Sequence, residues 1–187
     1  MRIGICGKSG SGKSTVTKFF EIKGFHVIDL DLESKKLYSN VRIKDKIIAT
    51  FGNESYQNDI LDKNYISNLV FNDKSKLEAL NSIFFPELEN LVESSFSNFD
   101  NVIVDGAIIF DSKIHKMTDF NIYIKASENL MLERLLKREK TPSEILKSRI
   151  KSQSKYDLYE NYCLYSIIND GTTMDLERKI NDILNNH

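Results

Sequence analysis

An α/β fold, strands alternating with helices around an open sheet, is what this sequence predicts, and three observations carry it. Residues 2–6 (RIGIC) have strand-forming character and run straight into a glycine-rich string at 7–15 (GKSGSGKST). Helical spacing follows at once, with Val16, Phe19 and Phe20 on one side. Further apolar runs at 26–31, 102–106, 120–124 and 163–169 are separated by helical periodicity, and two of them end in acids.

The string at 7–15 satisfies G-x-x-x-x-G-K-[ST], the phosphate-binding loop. Its glycines let the backbone turn tightly and approach a polyphosphate with no Cβ in the way. Successive amides of Gly10, Ser11, Gly12, Lys13, Ser14 and Thr15 form an anion-binding concavity, closed by the positive end of the helix that begins near Lys13. Lys13 brings a point charge to the outer phosphates, and the Ser14 hydroxyl is placed to ligate Mg²⁺. A nucleoside triphosphate with magnesium is the expected ligand.

Gly24 suits a helix C-cap, and residues 26–31 (HVIDLD) then read as a second strand. In an open α/β sheet ligands sit beyond the carboxyl ends of the strands, so Asp29 and Asp31 should share a rim with the phosphate loop. At i and i+2 of an extended segment they point the same way. Such an acid can take a proton from a substrate hydroxyl or orient the water around a metal. Either can instead cap the next helix, and spacing does not decide which of them carries the chemistry.

From residue 32 to about 99 apolar residues recur at helical spacing, as in Ile43, Ile47, Ile48 and Phe51, or Leu77, Leu80, Ile83 and Phe84. Gly52 ends one helix and Pro86 is expected to interrupt another. The stretch is too long for a simple crossover, and in a phosphoryl-transfer enzyme it is where an acceptor site is built. Residues 102–106 (VIVDG) form the third strand, and Asp105 at its end takes the position of a magnesium-supporting carboxylate acting through water. The fourth strand spans 120–124. Ser127 then caps a helix through about Arg138, with Leu130, Met131, Leu135 and Leu136 inward. Arg134 and Arg138, four apart, form either a solvated face or a lid clamping phosphate and adenine. Thr141, Pro142 and Glu144 spell N-cap, first helical residue and capping box. Residues 163–169 make the last strand, 170–171 a turn, and 176–184 a closing helix.

A chain of 187 residues with 41% hydrophobic and 28% charged residues suits one ordinary globular domain. Lys+Arg (26) against Asp+Glu (27) leaves no overall field that would draw nucleic acid or an anionic membrane. No stretch reaches the roughly 18 apolar residues of a membrane span, and no signal peptide is recognisable. Cys6 and Cys163 are too few for a disulfide framework. A cytoplasmic protein is expected. No N-K-x-D or D-x-x-G string supports a guanine-nucleotide switch, which leaves other small-molecule kinases as the nearest rivals.

Together the pieces resemble the dephospho-CoA kinase family nearly end to end. The likeness rests on the loop at 7–15, Gly24, VIDLD (27–31), Phe51-Gly52, Ile60-Leu61-Asp62-Lys63 and Pro86. It continues through VIVDGAIIFD (102–111), Arg134 with Arg138, RIKSQ (149–153) and Asn169-Asp170-Gly171. The resemblance implies a P-loop NTPase-type three-layer α/β/α fold with a five-stranded parallel sheet, a helical insertion and a small lid. The core would comprise 1–31 and 101–187, the helical acceptor part 32–100, and the lid about 134–153. It implies transfer of the ATP γ-phosphoryl to the ribose 3′-hydroxyl of dephospho-CoA, with Asp31 as the general base and Arg138 beside Lys13 at the reacting phosphate. Arg149 would lie in or near the lid, and Asn169 near the adenine. Phe85 stands where the family has His, Lys63 where it has Arg, Ala107 where it has Pro, and Cys163-Leu164 where it has Ala-Asp.

Overall fold

The structure, a computed structural model, describes residues 1–71 and 73–187. Five strands form one sheet: β1 (Arg2–Cys6), β2 (His26–Asp29), β5 (Val102–Asp105), β6 (Phe120–Lys125) and β7 (Tyr165–Ile168). Their order is β2-β5-β1-β6-β7, and every pairing is parallel. Such a sheet is covered on both faces, so its strands read as near-continuous Val/Ile runs. On one face Ile3, Ile5, Ile122 and Ile124 pack against Val16 and Phe20 of α1 (Lys13–Ile22) and Leu176 and Ile180 of α8 (Thr173–Asn185). On the other, Ile28, Val102, Val104 and Tyr123 meet Leu88, Val92 and Phe96 of α5 (Lys74–Asn98). Cys6 belongs to this second layer, its Sγ 3.7 Å from that of Cys163 with both thiols free.

Between β2 and β5 lie α2 (Leu30–Leu37), α3 (Val41–Phe51), a hairpin of β3 (Tyr56–Gln57) and β4 (Ile60–Leu61), α4 (Lys63–Phe71), and α5. They enclose a core of their own, with Ile43, Ile47, Tyr56, Leu61, Ile66, Ile83 and Phe84 at its centre. The hairpin has no counterpart in the sequence reading. Asn58 and Asp59 both take positive φ at its tip (50° and 65°), as a two-residue turn requires.

Three sequence expectations about where elements begin, break or end are corrected. The second strand stops at Asp29, because Asp29 accepts from Leu32 N at 2.9 Å and starts α2 as its N-cap. Asp31 therefore sits in the first turn of a helix, not in an extended segment. Pro86 does not interrupt its helix; α5 runs through it. Ser82 and Pro86 are both exposed, so the carbonyl that the ring leaves unpaired falls on the solvent side. The helix α7 (Ser143–Ser152) begins one residue later than its spelling suggests: Pro142 is the N-cap, and no side chain closes a capping box.

The helix α6 (Glu128–Arg138) buries Met131 and Leu135 against Leu146 and Ile150 of α7, whereas Leu136, expected inward, is 45% exposed. Among the described residues no helix is long and apolar enough to cross a membrane.

Candidate active site

The phosphate loop leaves β1 at Cys6 and enters α1 at Lys13. Gly12 is the helix N-cap at φ 98°, and no side chain caps the helix there, which leaves its first amides to an incoming anion. A Cβ at Gly12 would stand 2.1 Å from Asn169 Nδ2, so the close approach needs glycine as much as the dihedral does. Lys13 Nζ donates to Gly7 O (3.1 Å), folded back over the loop.

The sheet register builds the rest of the rim. Asp105 pairs with Ile5 on one side and Asp29 on the other, which sets its carboxylate beside the phosphate loop. A cavity of about 520 Å³ opens here; Gly10, Gly12, Lys13, Ser14 and Thr15 line one wall. Asp29, Asp31 and Asp105 line another, and Arg134, Arg138 and Asn169 a third. Asp105 Oδ1 is sealed from solvent and has no hydrogen-bond partner among the described residues. Burial pushes its carboxyl up to about 6; the Lys13 ammonium opposes the rise, while Asp29 and Asp31 add to it. A buried, unpartnered carboxylate oxygen facing a serine-bearing anion loop is a donor set for a hard divalent cation completed by phosphate and water. Among the described residues no three His, Cys, Asp or Glu side chains converge into a protein-only cage. Ser11 does not line the cavity; its hydroxyl is buried beneath the loop, without a partner among the described residues.

Arg134 works within the protein. It donates to Gly10 O (3.4 Å), Ser11 O (3.3 Å) and Asn169 O (2.8 Å), and Asn169 Nδ2 donates to Ser11 O (2.9 Å). These bonds join the end of β7 and the middle of α6 to the loop. Arg138 reaches the cavity wall and donates to Glu139 Oε1 at 2.7 Å. Arg149 donates to Glu139 Oε2 at 2.7 Å, so one carboxylate gathers both guanidinium groups. Those bonds, that from Arg138 first, hold the Glu139 carboxyl below its usual range. Arg149 does not line the cavity; its side lies on an outer groove with Glu144 and Ile145.

A second cavity of about 430 Å³ lies on the helical side, lined by Lys35, Tyr38, Lys63, Phe84, Phe85 and Ile108. Asp31 lines both cavities and stands where they meet. The sequence reading singled out neither Lys8 and Ser9 nor Asp157, the partner of Lys8, and Gln153, the partner of Ser9, entered only within the RIKSQ string. Ser9 N donates to Gln153 Oε1 (2.8 Å), Gln153 Nε2 to Ser9 Oγ (3.0 Å), and Lys8 Nζ to Asp157 Oδ2 (2.6 Å).

Comparison with known proteins shows the family to which the chain belongs. The family model described as dephospho-CoA kinase matches residues 1–175. A dephospho-CoA kinase of Fusobacterium nucleatum is 33% identical over 183 residues, covering 96% of this chain and 95% of the relative. The crystal structure of TT1252 from Thermus thermophilus superposes with a TM-score of 0.83 at 25% identity, over 98% of this chain and 96% of that one. A dephospho-CoA kinase from Campylobacter jejuni shares the fold, with a TM-score of 0.67 at 21% identity, over 98% and 94%. A match that begins at residue 1 and ends at 175, together with a relative one-third identical along nearly its whole length, makes this chain a member of the dephospho-CoA kinase family.

Proposed function

We propose that this chain performs the family's ATP-dependent phosphorylation of the ribose 3′-hydroxyl of dephospho-CoA through Asp31, and the observation that carries the assignment is its place at the junction of the two cavities. ATP lies along the larger cavity, its phosphates on the amides of residues 10–15 and on Lys13. Arg134 and Arg138 lie along the same phosphates, and Asn169 marks the adenine end. The acceptor enters through the helical cavity. There Lys35 and Lys63 offer charge to its diphosphate, and Tyr38 and Phe85 offer aromatic faces. Residues 32–100 are then the acceptor part. Residues 134–153 form a lid, held together by its own apolar contacts and by Glu139 between Arg138 and Arg149.

Asp31 accepts the proton of the 3′-hydroxyl as its oxygen attacks the γ-phosphorus; the bond to the β-bridging oxygen breaks, and coenzyme A and ADP leave. Ser14, with Asp105 through a water, suits Mg²⁺, which when bound neutralises charge on the β- and γ-phosphates. Positioning and charge neutralisation supply most of the acceleration, because a loose phosphoryl-transfer transition state needs little covalent help. On this reading the enzyme is cytoplasmic.

The test is a product assay with ATP, Mg²⁺ and dephospho-CoA, read by mass for one phosphate added to the ribose. Asp31→Asn should lower kcat by about 10²- to 10⁴-fold, the usual worth of a general base, with ATP affinity changed less than about threefold. Equal loss of turnover and ATP binding would make Asp31 structural. Preferential phosphorylation of a nucleoside would reassign the acceptor.

A further inference from the structure

The rim of the phosphate loop is gripped from outside by residues that none of the roles above employs. Gln153, the C-cap of α7, commits both ends of its amide to one residue: Oε1 accepts from Ser9 N at 2.8 Å and Nε2 donates to Ser9 Oγ at 3.0 Å. One position earlier in the loop, Lys8 Nζ donates to Asp157 Oδ2 at 2.6 Å, with only 10% of the lysine side chain exposed. The other oxygen of Asp157 accepts from Tyr123 OH at 3.0 Å. Tyr123 belongs to β6 and is 1% exposed, so the sheet itself fixes this end of the chain of contacts.

Such a grip matters because of what it restrains. Gly7, Gly10 and Gly12 all take positive φ, and a loop this rich in glycine loses much conformational freedom when it closes around a ligand. Contacts made before the ligand arrives meet part of that entropy cost in advance. Ser9 N, spent on Gln153, is also withdrawn from anion binding, as are Ser11 N on Lys8 O and Thr15 N on Gly12 O, which leaves the amides of Gly10, Gly12, Lys13 and Ser14 to the phosphates.

We propose that Gln153 is a positioning residue for ATP. With the Lys8–Asp157–Tyr123 chain it latches the segment after α7 to the loop rim, and this latch sets nucleotide affinity without touching the reacting atoms. The proposal rests on the reading that ATP phosphates occupy the loop.

Isothermal titration with ATP and Mg²⁺, steady-state kinetics and thermal melting on the full chain test it. Gln153→Ala should raise Kd and KM for ATP about 10-fold and leave kcat at saturating ATP within about twofold. Its melting temperature should stay within a few degrees of wild type. Ser9→Ala, which removes only the hydroxyl partner, should weaken ATP by about two- to threefold. The double variant should bind no more weakly than Gln153→Ala alone, because both substitutions break one contact. Asp157→Asn should weaken ATP independently, adding to the effect of Gln153→Ala. Unchanged ATP affinity in Gln153→Ala overturns the proposal. So does full additivity with Ser9→Ala, or a joint fall in kcat and melting temperature, which would mark Gln153 as a folding contact. Wild type that binds no ATP removes the phosphate-loop reading and the latch with it, whereas wild type that binds ATP beside an unaffected variant removes the latch alone.

Discussion

Replacing Asp105 by Asn should stabilise the ligand-free protein at neutral pH while disabling it. The carboxylate ends β5 with Oδ1 buried and unpartnered, and its pKa rises from 3.8 to about 6. A folded pKa above the unfolded one means that the folded protein holds the extra proton between those values, so its stability falls as pH rises through that window. The full shift is worth about 3 kcal/mol above pH 6. This is an upper bound, because the residue as a whole is only half-buried and solvent screens part of the charge. Asn has nearly the same shape and carries no charge. In urea unfolding with EDTA and no nucleotide, the variant's advantage over wild type should be about 0.5 kcal/mol at pH 4 and widen toward about 3 kcal/mol at pH 8. Carboxylates remote from Asp105 titrate alike in both proteins and cancel in the difference; Asp29 and Asp31, which raise the Asp105 pKa, are relieved along with it in the variant. With ATP, Mg²⁺ and acceptor the same variant should lose turnover, because the charge that strains the fold is the one that suits the metal. A stability difference that does not change with pH, or a variant weaker than wild type at pH 8, would refute the argument.

Two further substitutions address the loop. Gly12→Ala places a Cβ 2.1 Å from Asn169 Nδ2 on a backbone at φ 98°; it should cost about 1–3 kcal/mol in denaturant unfolding and weaken ATP more than about 100-fold by titration calorimetry. Retained ATP affinity would mean that the loop and Asn169 can separate freely. Arg134→Met keeps the aliphatic stem but removes the donors to Gly10 O, Ser11 O and Asn169 O. It should cost about 1.5–3 kcal/mol of stability and raise KM for ATP, both measurable on one preparation.

The core of the fold was legible because its signals are local. The phosphate loop is spelled in consecutive residues, and the strands of a parallel sheet announce themselves as unbroken apolar runs. Asp105 was readable for the same reason, as an acid closing such a run. The boundary at Asp29 was not, since in VIDLDL the alternation of apolar and acidic residues suits a strand as well as a capped helix start; the bond from Leu32 N decides it. Pro86 misled because its effect depends on whether the freed carbonyl faces water, which spacing along the chain does not encode. The hairpin at 56–61 has strands of two residues each, too short for periodicity, although Asn58-Asp59 was a turn signal. Gln153 and Asp157 meet the loop across more than 140 residues of chain, and contacts of that range leave no mark in local pattern. The arginines were half legible: Arg134 and Arg138 reach the cavity, but Arg149 does not, and meets Arg138 only through Glu139.

The long helix through Pro86 belongs to two interiors at once. Its first half contributes Ile83 and Phe84 to the helical layer, and its second half contributes Leu88, Val92 and Phe96 to the underside of the sheet. Twenty-five residues at about 1.5 Å each make a rod of about 38 Å. Neither interior can melt without stripping the rod that the other leans on, so the two should come apart in a single thermal transition. Any tilt of the helical layer toward the phosphate loop must likewise pass down this one lever, and the turn missing a hydrogen bond at Pro86 is where it bends most cheaply.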